Sequence, residues 1–221
     1  MNRLNKRIYF LPGVDRRKIR LSEEAKYSVT HWRDGQLINT YMLRLLQSKK
    51  RFSKLENESM LQYVSIIDGT ACVGGNTVMF CKDFNHVVAI EINSEHVKML
   101  RHNVNLYYNF KKKVKIHRNN VITFYPKVVA KNKYNIMFLD PPWGGPEYKS
   151  EKRIELFLGD TPVTDLCIKM LQTGVQMVVL KAPFNYDTAV LEKRCREKLG
   201  KKKFDFQIQK LHKYNCIYIH L

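Results

Sequence analysis

The 221 residues allow one ordinary α/β domain or one domain with a short extension, and an apolar share of 44% is enough for a real core. No apolar run reaches membrane-spanning length, the opening Met1-Asn-Arg-Leu-Asn-Lys-Arg7 lacks a signal-peptide core, and five cysteines without a C-x-x-C pair indicate neither a disulfide framework nor a zinc site. The net charge of +19, from 39 Lys and Arg against 20 Asp and Glu, has runs at 49–51, 111–113 and 201–203 and asks for a polyanionic partner, nucleic acid first.

Residues 1 to about 33 are basic and aromatic without a clear period, and Ile8-Tyr9-Phe10-Leu11 is long enough only for one packed turn or strand. From Asp34 to Gln47 the residues Leu37, Ile38, Tyr41, Met42, Leu45 and Leu46 recur at helical spacing, with Asp34 as the expected N-cap. Residues 49–62 read as a loop or loose helix. Val64-Ser-Ile-Ile-Asp68 is a short buried strand ending in a carboxylate. A small-residue loop, Gly69 to Thr77, follows, and Val78 to Phe84 opens a helix. Val87-Val-Ala-Ile-Glu91 is a second strand ending in an acid, close to the ~20 residues that separate a glycine loop from the acid that holds a ribose diol.

Ser94 is placed to cap a helix running to about Tyr108, and Val114 to His117 is a third strand followed by Asn119-Asn120. Asn135 to Leu139 is a fourth strand, ending at Asp140. Thr161-Pro162 opens a helix through Leu166, Met170 and Leu171; Val175 to Lys181 is a fifth strand; Asp187 to Leu199 is a helix. Phe204 to Leu211 and Asn215 to Leu221 alternate around a turn at His212 to Tyr214, a closing antiparallel hairpin. Strands alternating with helices imply a mostly parallel sheet covered on both faces.

The most informative stretch is Asp140-Pro-Pro-Trp-Gly-Gly-Pro-Glu147, directly after the fourth strand. Asp-Pro-Pro-Trp after a strand resembles the arrangement used by enzymes that methylate amino groups on nucleobases, where the exocyclic amine is a poor nucleophile because its lone pair is delocalised into the ring. An acceptor at Asp140, helped by a prolyl-peptide carbonyl, can orient the N–H groups so that the lone pair faces a methyl donor. Pro141 and Pro142 fix φ and remove competing donors, Trp143 offers a flat face for the base, and Gly144 and Gly145 let the chain turn without a Cβ. The plain alternative is a strand ending in a Pro/Gly turn.

The longer string Pro141-Pro-Trp-Gly-Gly-Pro-Glu-Tyr148 resembles the signature of the trimethylguanosine synthases, which methylate the exocyclic N2 of a 7-methylguanosine RNA cap. Val73-Gly-Gly-Asn-Thr77 is similar to that family's cofactor loop, and Tyr27-Ser-Val-Thr30 to its N-terminal segment, with Lys26 in place of a tryptophan. The resemblance implies an α/β class I methyltransferase: a Rossmann-like, mostly parallel seven-stranded sheet with a C-terminal antiparallel hairpin, at residues 59–221. A short N-terminal helical extension at residues 1–58 would cover cofactor and cap.

It implies S-adenosyl-L-methionine as cofactor, lying at the switch point of the sheet and held by Thr30, Asp68, Gly69, Thr70, Gly74, Asn76, Thr77, Glu91, Ile92, Asn120, Val121 and Asp140. The implied catalytic set is Asp140, Pro141 and Trp143. The implied cap-binding set is Glu24, Ser28, Pro141, Pro142, Trp143, Tyr148, Lys181 and Asn185, with the positively charged base stacked on Trp143 for a cation–π gain of ~2 kcal/mol when desolvated. The implied partner is m7G-capped RNA, with no metal and no membrane. The chain is taken as an intracellular monomer, nucleus and cytoplasm undistinguished. Three departures stand out: Asp140 where the family has Ser, Cys72 where it has Gly, and Phe184 where it has an arginine for the cap triphosphate. That last task passes to Lys181, Lys149 or Arg153. Asp140 also fits a rival reading, a base-amino methyltransferase of the adenine-N6 type acting on internal DNA or RNA sites. A non-catalytic RNA-binding protein on the same fold is a third.

Overall fold

The computed structural model describes residues 9–200 and 203–221; residues 1–8 and Lys201 and Lys202, with part of the 201–203 lysine run, lie outside them. The helices are α1 (Ala25–Ser28), α2 (Trp32–Gln47), α3 (Asn57–Leu61), α4 (Gly75–Asp83), α5 (Ser94–Asn105), α6 (Phe110–Lys113), α7 (Val121–Phe124), α8 (Val163–Gln172) and α9 (Thr188–Leu199). The strands are β1 (Val64–Asp68), β2 (Val87–Glu91), β3 (Val114–Arg118), β4 (Tyr134–Leu139), β5 (Phe157–Leu158), β6 (Thr161–Pro162), β7 (Met177–Ala182), β8 (Asp205–Lys210) and β9 (Asn215–His220). Two units divide the chain, one ending at Val121 and the other beginning at Ile122.

In the first unit β1, β2 and β3 lie parallel, β2 in the middle, with Asp68 opposite Ala89 and Glu91 opposite Arg118. All five residues of β1 are buried, so its apolar residues Val64, Ile66 and Ile67 are not confined to one face. Helix α2 turns Gly35, Ile38, Asn39, Met42, Leu45 and Leu46 inward, while Leu37 is exposed. Gly35 is required there: a Cβ would come within 2.7 Å of Met79 on α4. The Asn39 amide donates to the Met79 carbonyl at 2.8 Å and to Asp83 at 2.6 Å.

Two caps differ from expectation. His31 caps α2, its Nδ1 accepting from the Arg33 N–H, and Asp34 sits in the first turn, where its charge still suits the helix dipole. Asn93 rather than Ser94 caps α5, its Oδ1 accepting from Glu95 and His96. Helix α4 begins three residues before Val78, because Gly74 at φ 95° turns the chain abruptly out of the loop.

The N-terminal segment is stapled to α5. The buried Asn103 side chain accepts from the Arg20 N–H at 2.9 Å and donates to the carbonyls of Arg20 and Val73, both at 2.8 Å. Tyr107 donates its hydroxyl to the Leu11 carbonyl at 2.7 Å. Phe10 and Ile19 are buried in the same apolar cluster as Leu100, Val104 and Tyr107.

In the second unit β4 and β7 run parallel, both wholly buried, with Leu139 opposite Leu180. Strand β9 runs antiparallel to β7 and β8 antiparallel to β9, which is the expected closing hairpin. Thr161-Pro162 forms a two-residue strand against Phe157-Leu158, and α8 starts just after it at Val163. Asp187 caps α9 by accepting from the Val190 N–H at 3.1 Å. The seven sheet strands, mostly parallel and closed by an antiparallel pair, make the chain a class I Rossmann-like methyltransferase fold.

Candidate active site

In the first unit, β1 and β2 deliver two carboxylates at their C-terminal ends. Asp68 is fully buried and accepts the Thr77 hydroxyl at 2.6 Å, tying the strand end to the first turn of α4. Glu91 is 9% exposed, and its two oxygens accept the backbone N–H of Cys72 and of Asn93, both at 2.8 Å. Those bonds fix the carboxylate while each oxygen keeps a lone pair for a further donor, the arrangement a ribose diol needs.

The loop between these strands is closely fitted. At Gly74 a Cβ would meet Leu100 at 2.6 Å, and at Gly75 it would meet Val29 at 2.8 Å, so the Tyr27 to Thr30 segment packs directly on the start of α4. Cys72 has φ 47°, a left-handed conformation that explains why glycine suits this position. Its Sγ lies 3.8 Å from His96 Nδ1, and His96 Nε2 lies 3.0 Å from Ser22 Oγ and 3.6 Å from Glu24. His96 is a residue that periodicity alone does not single out, since it faces inward from a helix otherwise read by its apolar positions.

Thr30 is buried, Asn76 half-buried, and Gly69 and Val121 buried, whereas Ile92 is exposed. Asn120 is half-buried, its N–H donating to Asn119 Oδ1 at 3.1 Å. Glu24 and Ser28, expected at the cap, are exposed on the first unit. Acceptor, glycine-lined loop and helix N-terminus together fit a nucleoside-bearing cofactor.

In the second unit, Asp140 follows the buried β4 and is paired with Lys181, Nζ to Oδ2 2.7 Å. Pro141 is buried, Pro142 exposed, and Trp143 half-buried. The Trp143 ring meets Tyr148 edge-on at 5.4 Å and Tyr214 at a tilt at 6.2 Å. Its indole Nε1 is buried without a hydrogen-bond acceptor among the described residues. A buried donor left in that state needs an explanation, and a bound acceptor is one.

Asn185 donates to the carbonyls of Tyr148 at 2.6 Å and Glu151 at 2.9 Å, so its amide braces the turn that carries Tyr148. Of the three cations considered for the triphosphate, Arg153 pairs with Asp187 at 2.9 Å, and Lys181 is 3% exposed beside Asp140. Lys149 remains at the surface, its Nζ 5.9 Å from the Tyr148 ring. The fold adds a cation that the sequence did not reveal. Lys210, exposed at the end of β8, lies 5.4 Å from the ring of Phe184, where the resembled family has its arginine.

The five cysteines are free. Burial pushes the Cys81 and Cys195 thiols up to about 12 and Cys167 upward too, as expected of packing thiols. Among the described residues no helix is long and apolar enough to cross a membrane, and no group of three His, Cys, Asp or Glu is placed to hold a metal.

Comparison with known proteins fits this geometry. An RNA cap guanine-N2 methyltransferase family model matches residues 63–220. An uncharacterized protein of Acanthamoeba polyphaga mimivirus is 31% identical over 82% of this chain and 74% of its own length. The trimethylguanosine synthase of Schizosaccharomyces pombe is 36% identical over 39% of this chain and 36% of its own; that of Saccharomyces cerevisiae is 25% identical over 85% and 55%. The chain thus spans about a third and about half of the two yeast enzymes. Among solved structures, a human methyltransferase 10 domain containing protein gives a TM-score of 0.57 at 13% identity over 84% of this chain and 80% of that one. The Synechocystis magnesium protoporphyrin IX methyltransferase, with S-adenosylmethionine bound, gives 0.55 at 8% identity over 97% and 88%. By its family match over residues 63–220, the chain belongs to the RNA cap guanine-N2 methyltransferase family and is an RNA methyltransferase dependent on S-adenosyl-L-methionine.

Proposed function

We propose that the chain methylates the exocyclic N2 of a 7-methylguanosine RNA cap, giving 2,7-dimethylguanosine and, by a second transfer, 2,2,7-trimethylguanosine. The observation that carries this reading is the end of β4: a carboxylate, two prolines, and an aromatic ring bordered by Tyr148 and Tyr214, with an indole N–H still seeking an acceptor. S-adenosyl-L-methionine supplies the electrophilic methyl group. Glu91 holds the ribose diol, Asp68 and Thr77 keep the loop closed on the amino-acid end, and Asn120 and Val121 face the adenine. Thr30 comes over from the N-terminal segment.

Trp143 stacks the cap base, and Pro141 and Asp140 orient its amine. Rate then comes from alignment more than from an acid–base pair. Lys149 and Lys210 take the triphosphate charge, in place of the arginine that Phe184 replaces.

Asp140 in the serine position keeps the adenine-N6 reading open as an alternative. Labelled S-adenosyl-L-methionine offered with m7G-capped, unmethylated-capped and uncapped RNA separates the two. Label on the first alone is expected. Label on uncapped RNA supports the alternative, and label on none contradicts both.

A further inference from the structure

Lys181 stands near the end of β7, opposite Cys216 of β9, and is 3% exposed. An ammonium that deep needs a counter-charge and a polarisable surround. Both are present. Asp140 Oδ2 is 2.7 Å away, and the ring centroids of Tyr214 and Trp143 lie at 4.6 and 5.4 Å from Nζ. A lysine spent in this way does not reach into solvent for phosphates. Its neighbours are instead the groups proposed to handle the base.

The carboxylate that stands where the resembled family has a hydroxyl is therefore matched by a buried cation from another strand. We infer that Lys181 is a positioning residue for methyl transfer, holding the Asp140 carboxylate in its charged form and in one orientation beside Trp143. This inference rests on the cap-guanine reading and deepens it. A charged carboxylate only accepts hydrogen bonds. The Watson–Crick edge of guanine presents N1–H and the N2 amine, donors side by side, and both suit it. The adenine edge sets a lone pair beside its amine, which a fixed negative charge repels. Lys181 touches no base in this account. It acts through Asp140, and by keeping that group an obligate acceptor it favours a donor–donor edge.

The test is a double-mutant cycle on the full chain, with S-adenosyl-L-methionine and an m7G cap dinucleotide as substrates. Lys181→Met is expected to lower kcat by roughly 30-fold or more, with cofactor Kd and cap KM changed by less than about 3-fold. Lys181→Arg should restore roughly a tenth or more of the wild-type rate, since its charge still pairs with Asp140. In an Asp140→Ser background, adding Lys181→Met should cost less than about 3-fold, because its partner is already gone.

Equal losses in both backgrounds, or wild-type turnover in Lys181→Met, overturn the inference while leaving the cap reading intact. Absence of transfer by the wild-type chain sinks both. If Lys181→Met does not fold, Lys181→Arg in the wild-type background and the Asp140→Ser, Lys181→Met variant set against Asp140→Ser alone carry the test. Roughly a tenth or more of wild-type turnover in the first and less than about 3-fold between the latter two are then expected, and a further loss of about 30-fold on adding Lys181→Met to Asp140→Ser overturns the proposal.

Discussion

At the scale of single residues, Trp143 and Asp140 make the sharpest claims. Trp143 is half-buried, so emptying its site should cost less than the ~3–5 kcal/mol of a fully buried aromatic. Trp143→Ala should therefore keep its melting temperature within a few degrees and its cofactor affinity near wild type, while affinity for the m7G cap collapses. Trp143→Phe should recover part of the binding, and calorimetry with cap and cofactor separately checks all three. The pair at Asp140 alters what a serine there would do. Asp140→Ser leaves Lys181 buried without its carboxylate, and breaking such a pair costs about 3–5 kcal/mol. Denaturant melts should show that loss in the single variant and recovery in the Asp140→Ser, Lys181→Met double variant. Equal stability of the two would mean that Lys181 finds another partner. The sequence announced Asp140, because an apolar strand stops at it. It could not announce Lys181 as its partner, because 41 residues separate them and a lysine at a strand end reads as a surface cation.

At the scale of elements, the strand ends were legible and the caps were not. A buried strand that stops at an acid has one reading, and β1 and β2 follow it residue for residue. At His31 and Asn93 the cap is set by where the chain leaves extended geometry; as residue types Asp34 is the stronger cap than His31, and Ser94 is as good as Asn93. The N-terminal segment had no period to read, because side chains of α5 rather than its own hydrogen-bond ladder hold it. Asn103 is the main tie. Asn103→Ala removes three hydrogen bonds and leaves the buried carbonyl of Val73 unsatisfied, at ~1–3 kcal/mol. The segment carrying Thr30 should then open. Amide exchange and proteolysis between residues 9 and 31 should rise and cofactor affinity should fall. Unchanged protection there would mean that Phe10 and Ile19 hold the segment without Asn103.

At the scale of the whole molecule, the charge of +19 and the family assignment point to one partner class. Binding of a long capped RNA should fall steeply with salt as lysine contacts release counterions, while the cap dinucleotide should respond far less. Equal slopes would remove the lysine runs from any RNA track. Fold class and cofactor were readable because strand, loop and signature spacing is local. The cations proposed for the triphosphate were not, because Lys210 meets Phe184 only through the hairpin. Every role proposed for the site turns on which atom receives the methyl group. The most direct measurement is digestion of labelled, methylated m7G-capped RNA to nucleosides, followed by chromatography and mass analysis of the cap. The label is expected in 2,7-dimethylguanosine or 2,2,7-trimethylguanosine. Label in N6-methyladenosine, or in any nucleoside within the RNA body, would contradict the account.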